Sequence, residues 1–364
     1  MSFKLYSKVT VGKYGFNGGI HECTIKRSVH EIIDTAIIKI PAVARANDVL
    51  EIASTLASIA GFNGNPTKSK TGNYPDTSVE SSTLWREGDP VNILLGYNGD
   101  YRQEFKGFVR RVSPTIPATI ECEGYAWQLR YKQISGVWKS IKLKDLLQIL
   151  IAGTDIALSP YIPDLALTNL STHHQPNCLT MLEYLKRKCH LVAYFIFNTL
   201  YVGIEEGIPG NTVMYRLGWN CIRDNKLKYR VANDTKVLIR VVAGKGKNAK
   251  RPITEVGDAG GSIITENIAN IGGPVDMKAI ANRLLSYKKY TGYEGQISGF
   301  LQPYCNPSDT VQLSDVLYKV MGGSYFVDGI EVKFGMEGAR RDVHISRALS
   351  TPQFIPLQDQ NSNN

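Results

Sequence analysis

The stretch Gly88-Asp89-Pro90-Val91-Asn92-Ile93 has a near twin late in the chain, Ser308-Asp309-Thr310-Val311-Gln312-Leu313. Each reads small–Asp–x–Val–x–aliphatic: an aspartate turn feeding a strand whose apolar residues alternate. Downstream of the first lies Phe105-Lys106-Gly107-Phe108-Val109-Arg110-Arg111-Val112, and downstream of the second Phe326-Val327-Asp328-Gly329-Ile330-Glu331-Val332. Both are aromatic-led strands in which a glycine admits a bulge or close packing. Asp89 precedes Gly107 by 18 positions and Asp309 precedes Gly329 by 20. One hairpin unit used twice is the reading; the alternative is coincidence between two ordinary hairpins. Duplication matters through symmetry, because three chains with two similar units each offer six similar faces.

Working outward, the first copy sits in a mostly antiparallel β-domain over residues 1–130. Strands are expected at 3–11, 20–28, 35–41, 90–97, 102–113 and 117–125, with a turn at Gly12-Lys13-Tyr14-Gly15, a helical pattern at 46–60 and a polar loop at 61–82. Residues 131–210 form a small α/β domain. Its parts are a helix at 142–152 stopped by Gly153, a helix at 178–190 with Leu179, Leu182 and Leu185 at helical spacing, and a hairpin of 191–197 with 200–204. The second copy belongs to a β-domain assembled from 211–245 and 291–350, with strands at 226–231, 236–243, 293–300, 310–313, 316–321, 324–334 and 341–347. Between its halves lies an insertion at 246–290. It opens with a Gly-, Asn- and Lys-rich excursion and closes with a helix from Pro274 to Tyr290, with Ala279, Ile280, Leu284 and Leu285 on one stripe. The polar end, 351–364, is expected to be a flexible tail. The fold class expected is α+β, mostly antiparallel β: two similar barrel or sandwich domains, a small α/β domain and an inserted helical excursion.

Composition agrees with several folded domains. The 364 residues fit two to four, and 43% hydrophobic residues suffice for real cores. Tyrosine outnumbers phenylalanine 19 to 11, which suits strands and subunit contacts because the ring buries while the hydroxyl stays satisfied. The net charge of +9 permits contact with nucleic acid or an acidic surface without demanding it. One run is locally basic: Lys236, Arg240, Lys245, Lys247, Lys250 and Arg251 with no acidic residue among them. A solvated hairpin tip is the plain reading, and contact with an acidic neighbour or passing DNA the functional one. Cys23, Cys122, Cys178, Cys189, Cys221 and Cys305 are widely spaced without a CxxC, so free buried thiols in a reducing compartment are expected. The start has no signal h-region and no stretch of 18 apolar residues occurs. The expectation is synthesis in a cytoplasm, solubility there and no membrane insertion.

No catalytic, cofactor-binding or metal site is expected. GxSxG, Walker A, HExxH and the dinucleotide GxGxxG do not occur. Gly244-Lys245-Gly246-Lys247 has glycines but not the strand and helix that a phosphate cradle needs. His173 and His174, with Cys178, Cys189 and His190, match no standard zinc spacing, and core thiols beside a polar loop are the competing reading. Glu205 and Glu206 are adjacent after a strand, so their side chains diverge and do not make a glycosidase pair. Trp127 and Trp138 read as core or interface anchors rather than sugar platforms.

The run Gly88-Asp89-Pro90-Val91, then Phe105-Lys106-Gly107-Phe108-Val109, then Ile120-Glu121-Cys122-Glu123-Gly124-Tyr125-Ala126-Trp127-Gln128-Leu129, resembles central hub proteins of phage and prophage tail baseplates, Mu-like ones included. Late control D proteins and the N-terminal region of VgrG-type spikes are similar at greater distance. Cys178 to Gly203, ending Leu200-Tyr201-Val202-Gly203, carries the resemblance on, as does Tyr325 to Ile345 with Gly335-Met336-Glu337-Gly338-Ala339-Arg340-Arg341. Residues 85–345 are covered for the most part; 1–84 match in strand pattern alone. The resemblance implies a structural, non-enzymatic homotrimer around a channel through which DNA could pass. Two tube-type β-domains per chain would form a pseudo-six-fold ring, binding a hexameric tail tube protein on one face and a trimeric cell-puncturing spike on the other, among other baseplate proteins. No spike-like repeat follows residue 350, so the spike is expected to be a separate protein. The implied location is the host bacterial cytoplasm during assembly and then the virion tail baseplate. A tail-tip peptidoglycan hydrolase and a nucleic-acid-binding tail protein are the alternatives.

Overall fold

The computed structural model describes residues 4–17, 20–41, 43–44, 79–80, 85–205, 210–222, 226–232, 236–244, 251–315, 317 and 322–350. The helical pattern at 46–60, nearly all of the loop at 61–82, the strand at 316–321 apart from Leu317, and the tail at 351–364 fall outside them. Mostly antiparallel β-structure with few helices makes the chain α+β. It divides into two compact units: Met1–Gly207 with Ile330–Arg341, and Ile208–Gly329 with Asp342–Asn364.

In the first unit, β1 (Leu5–Val11), β2 (Tyr14–Asn17), β3 (Glu22–Ser28), β4 (Thr35–Ile40), β7 (Pro90–Tyr97), β8 (Asp100–Ser113) and β9 (Ala118–Glu123) form an antiparallel array in the order β3-β4-β9-β8-β7-β1-β2. The short pair β5 (Val43–Ala44) and β6 (Val79–Glu80) stands apart. Period-two patterning builds the core: Val9 and Val11, Cys23 and Ile25, Ala36, Ile38 and Ile40, Val91, Ile93 and Leu95, and Ala118, Ile120 and Cys122 are buried at alternate positions. The described sheet stays open, without closing into a barrel.

Two bulges interrupt β8. Ile93 pairs with Phe105 and Leu94 with Gln103, which leaves Glu104 as the extra residue; Val109 pairs with Cys122 and Arg111 with Glu121, which leaves Arg110. A bulge re-aims a side chain. Glu104 is thereby buried beside Phe105, where strict alternation would have put it outside.

The rest of this unit contains α1 (Ala126–Arg130), β10 (Val137–Lys142), α2 (Leu143–Ile151), β11 (Ala157–Leu158), β12 (Ala166–Ser171), α3 (Cys178–Lys188), β13 (Val192–Ile196) and β14 (Thr199–Gly203). The helix α2 buries Leu143, Leu146, Leu147 and Leu150, one helical stripe. The Lys132 ammonium donates to the carbonyls of Ile149 and Ala152 at its C-terminal end. Asn177 and Thr180 form a capping box at the start of α3, and Lys186, Arg187 and Lys188 fill its last turn, where the dipole favours cations. The pair β10–β12 escaped the sequence reading because its exposed positions break the alternation.

In the second unit, β15 (Thr212–Leu217) runs parallel to β21 (Thr310–Asp315), β21 pairs antiparallel with β22 (Gly323–Gly335), and β16 (Leu227–Arg230) pairs with β20 (Gly292–Gly299). The last strand is β23 (Gly338–Ala348). The segment read as an irregular excursion contains β18 (Ile253–Gly257) and β19 (Ser262–Ile268), which flank β17 (Val237–Ala243) in a three-stranded sheet. Val237–Ala243 therefore pairs with 253–268, although the sequence reading had grouped it with 211–245. The helix α4 (Pro274–Lys288) packs on β17 and β18. Its buried positions are Met277, Ile280 and Ala281, with Arg283; Ala279, Leu284 and Leu285 are half-buried.

Candidate assembly surfaces

The repeated turn is present twice in atomic detail. In the first copy the Gly88 N–H donates to the Val109 carbonyl at 2.8 Å, the Val109 N–H donates to the Asp89 carbonyl at 2.8 Å, and Asp89 Oδ2 accepts the Arg86 N–H at 2.8 Å. In the second the Ser308 N–H donates to the Val327 carbonyl at 3.0 Å, the Val327 N–H donates to the Asp309 carbonyl at 3.0 Å, and Asp309 Oδ2 accepts the Asn306 N–H at 2.7 Å. Gly88 and Ser308 both have positive φ, +89° and +71°. These bonds align Val109 with Val327 and Phe108 with Phe326. Gly107, opposite Val91, therefore corresponds to Tyr325, opposite Val311, and not to Gly329. The sequence pairing of glycines is off by four positions: Gly107 lies two residues before Val109, whereas Gly329 lies two residues after Val327.

The copies differ around this frame. Asp309 Oδ1 also accepts the Asn211 N–H at 2.8 Å, which ties the entry of β15 to β21. In the first copy the neighbouring strand β1 is antiparallel, and the Gly12 N–H donates to the Pro90 carbonyl. Gly107 approaches β9 so closely that a Cβ would lie 2.2 Å from the Glu123 carbonyl oxygen.

Beside the first turn lies an aromatic cluster. Phe108 stacks on Trp127 at 5.2 Å and meets Tyr125 edge-on at 5.3 Å, and Trp127 meets Tyr131 edge-on at 5.4 Å. A Cβ on Gly88 would come within 2.9 Å of the Trp127 ring, so only glycine fits there. Tyr131 is 62% exposed, and its hydroxyl donates to Glu87 Oε1 at 2.6 Å, which raises its pKa. The sequence reading of Trp127 as an anchor fits this place; Tyr131 and Glu87 were missed for want of a local pattern.

The second unit has its own exposed apolar patch. Trp219 is 77% and Met214 67% exposed, and Ile222 and Phe300 are about half exposed. Cys221 bridges to Gly299, and the Ile222 N–H donates to the Ser298 carbonyl, so the turn at 218–222 lies against the end of β20. The Arg216 guanidinium covers the Trp219 ring at 5.9 Å.

Inside the first unit, Arg341 donates to Glu104 Oε1 at 2.5 Å with both side chains fully shielded. Arg27 is buried next to them: it donates to the Glu104 carbonyl at 3.4 Å, lies 3.7 Å from Asp34 and stacks on Phe197 at 4.2 Å. Burial raises the pKa of Glu104 against the pull of Arg341, and raises that of Asp34 to about 7 against the pull of Arg27. All four charged side chains, Arg27, Asp34, Glu104 and Arg341, are buried in the core of the unit.

The other residues singled out in the sequence are dispersed. His173 and His174 are exposed, whereas Cys178 and Cys189 are buried at opposite ends of α3. Among the described residues no group of three His, Cys, Asp or Glu side chains is placed to hold a metal ion. Glu205 uses its backbone carbonyl to accept the Tyr201 hydroxyl, and Glu206 lies outside the described residues. Gly244 ends β17, and Lys245, Lys247 and Lys250 fall outside. Of the described part of the basic run, Arg240 pairs with Glu255 at 2.6 Å. No helix among the described residues is long and apolar enough to cross a membrane.

No protein-family model matches the chain, and no curated protein matches it. Solved structures do match. A tail protein from Neisseria meningitidis MC58 aligns with a TM-score of 0.62 at 11% identity, over 94% of this chain and 97% of that one. The 43 kDa tail protein of prophage MuSo2 from Shewanella oneidensis aligns with a TM-score of 0.58 at 13% identity, over 94% and 98%. The c3393 protein of E. coli, a type VI secretion component described as similar to T4 tail proteins gp27 and gp5, aligns with a TM-score of 0.55 at 8% identity, over 96% and 80%. The chain therefore has the fold of phage and prophage tail proteins along nearly its whole length.

Proposed function

We propose that this chain is the structural hub of a phage-type tail baseplate. The observation that carries the reading is the doubled turn at Asp89 and Asp309, one in each unit of a tail-protein fold. Two similar β-units per chain suit a trimer that presents six similar faces. Such a ring adapts a hexameric tail tube protein to a trimeric spike, and its channel gives DNA a passage. Assembly takes place in the host cytoplasm, and the finished protein resides in the virion tail baseplate. The role is non-enzymatic; in keeping with it, the buried carboxylates Glu104 and Asp34 lie against arginines inside the core.

Light scattering on the purified full chain tests this reading. A mass three times that of the chain, with ring-shaped particles by negative-stain microscopy, is expected; a monomer at every concentration overturns it. Clearing of a bacterial-wall zymogram would overturn the non-enzymatic role.

A further inference from the structure

We propose that two surface patches of this chain are each other's partners in neighbouring copies: Trp219 and Met214 around Arg216 in one copy dock on Tyr131 and Trp127 around Glu87 in the next. The inference rests on the oligomeric reading above and names the surfaces that would build it.

The patch on the second unit has the composition of an interface core: exposed Trp219, Met214 and Phe300, with Arg216 among them, are residue types enriched where proteins meet. The other presents the exposed ring of Tyr131, with Trp127 half-buried behind it and Glu87 beside it. Their charges are complementary. Arg216 covers Trp219, and among the described residues no carboxylate pairs with it. Glu87 accepts only the neutral Tyr131 hydroxyl, and among the described residues no cation pairs with it. The two patches thus carry charges of opposite sign beside their rings, Arg216 in one and Glu87 in the other; Arg130, next to Tyr131, is taken up by Glu123, and Arg86 adjoins Glu87 in the chain. A net charge of +9 makes two copies repel at long range, so a specific contact between them needs such a local match.

The way β15 ends points to side-chain packing and not to strand addition. Asn220 fills the free edge of that strand: its Nδ2 donates to the Met214 carbonyl at 3.0 Å and its Oδ1 accepts the Arg216 N–H at 2.7 Å. The N–H groups of Trp219 and Asn220 both donate to the Arg216 carbonyl. A blunted edge cannot template another strand, but the rings that project beside it remain open to a complementary surface. Because the two patches are different, the contact is heterologous, and repeated heterologous contacts close into a ring when the rotation permits.

Charge exchange on the full chain tests the pairing. Arg216→Glu and Glu87→Arg are made singly and together, and the dissociation constant of the oligomer is followed by light scattering on dilution. Far-ultraviolet circular dichroism and the melting midpoint of the dissociated chain check that each variant folds. Each single change is expected to weaken assembly by about tenfold or more, and the double change to restore it to within about threefold of the original. Trp219→Ala is expected to weaken assembly without rescue by either charge change. If the original chain assembles and the single variants assemble equally well, or the double variant is not restored, the pairing is overturned while the hub reading stands. If the original chain is monomeric throughout, both fail.

Discussion

Arg341 and Glu104 lie 237 positions apart in sequence and meet at 2.5 Å with neither side chain reaching solvent. The bulge in β8 turns Glu104 inward, and the hairpin tip Ile330–Arg341 brings the guanidinium to it. A late segment is thereby pinned to a strand of the first hundred or so residues by a charge pair in a core. Breaking such a pair strands one charge without water, whereas replacing both members removes the penalty.

Arg341→Met is expected to destabilise the protein by about 3–5 kcal/mol, because Glu104 is left buried and unpaired. The double change Glu104→Leu with Arg341→Met is expected to recover most of that loss. Chemical denaturation of the three variants measures it; a double variant no better than the single one would contradict the account.

Asp34 makes stability depend on pH. Its folded pKa is raised to about 7 from an ordinary 3.8, so the folded chain holds a proton that the unfolded chain releases. The contribution is full below about pH 4 and is lost as pH rises through 7, a difference of up to about 4 kcal/mol. Between pH 5 and pH 8 the part lost is about 2–3 kcal/mol, which urea midpoints at the two pH values should register. Asp34→Asn should flatten that part of the profile, and an unchanged slope in this variant would refute the assignment.

The two turn aspartates should differ in worth. Asp89→Ala removes the bond to the Arg86 N–H, while Asp309→Ala removes bonds to both Asn306 and Asn211. The expected losses are about 1 kcal/mol for the first and about 2–3 kcal/mol for the second, which also frees the entry of β15. Equal denaturation midpoints would argue against the second anchor.

Gly107→Val should be far more damaging than an exposed glycine change. Its Cβ would lie 2.2 Å from the Glu123 carbonyl oxygen, so β8 and β9 must part. Gly99→Ala, in the β7–β8 turn, has open space and costs only the strain of a positive φ, about 1–2 kcal/mol. Soluble yield and melting midpoint should separate the two; a stable, soluble Gly107→Val would show that the strands are not held so closely.

Much of the architecture was legible in the sequence where local signals agree. The strands Pro90–Tyr97 and Ala118–Glu123, and the helices Leu143–Ile151 and Cys178–Lys188, follow from alternation and a 3.6-residue stripe. The repeated Asp turn was equally readable, because an aspartate bonding three residues back is a local event.

What the sequence by itself determined, then, is the strongly patterned strands and helices, the α+β class and the doubled turn. The tertiary structure alone decided the register between the copies, since Gly107 and Gly329 look alike as letters but only backbone bonds match Val109 to Val327. It decided that β15 runs parallel to β21, and that 253–268 joins 237–243 in one sheet. It alone revealed the partners of Glu104 and the surroundings of Arg216. The reason is physical: propensity and periodicity act over a few residues, whereas strand pairing, bulges and charge burial are settled by groups hundreds of positions apart.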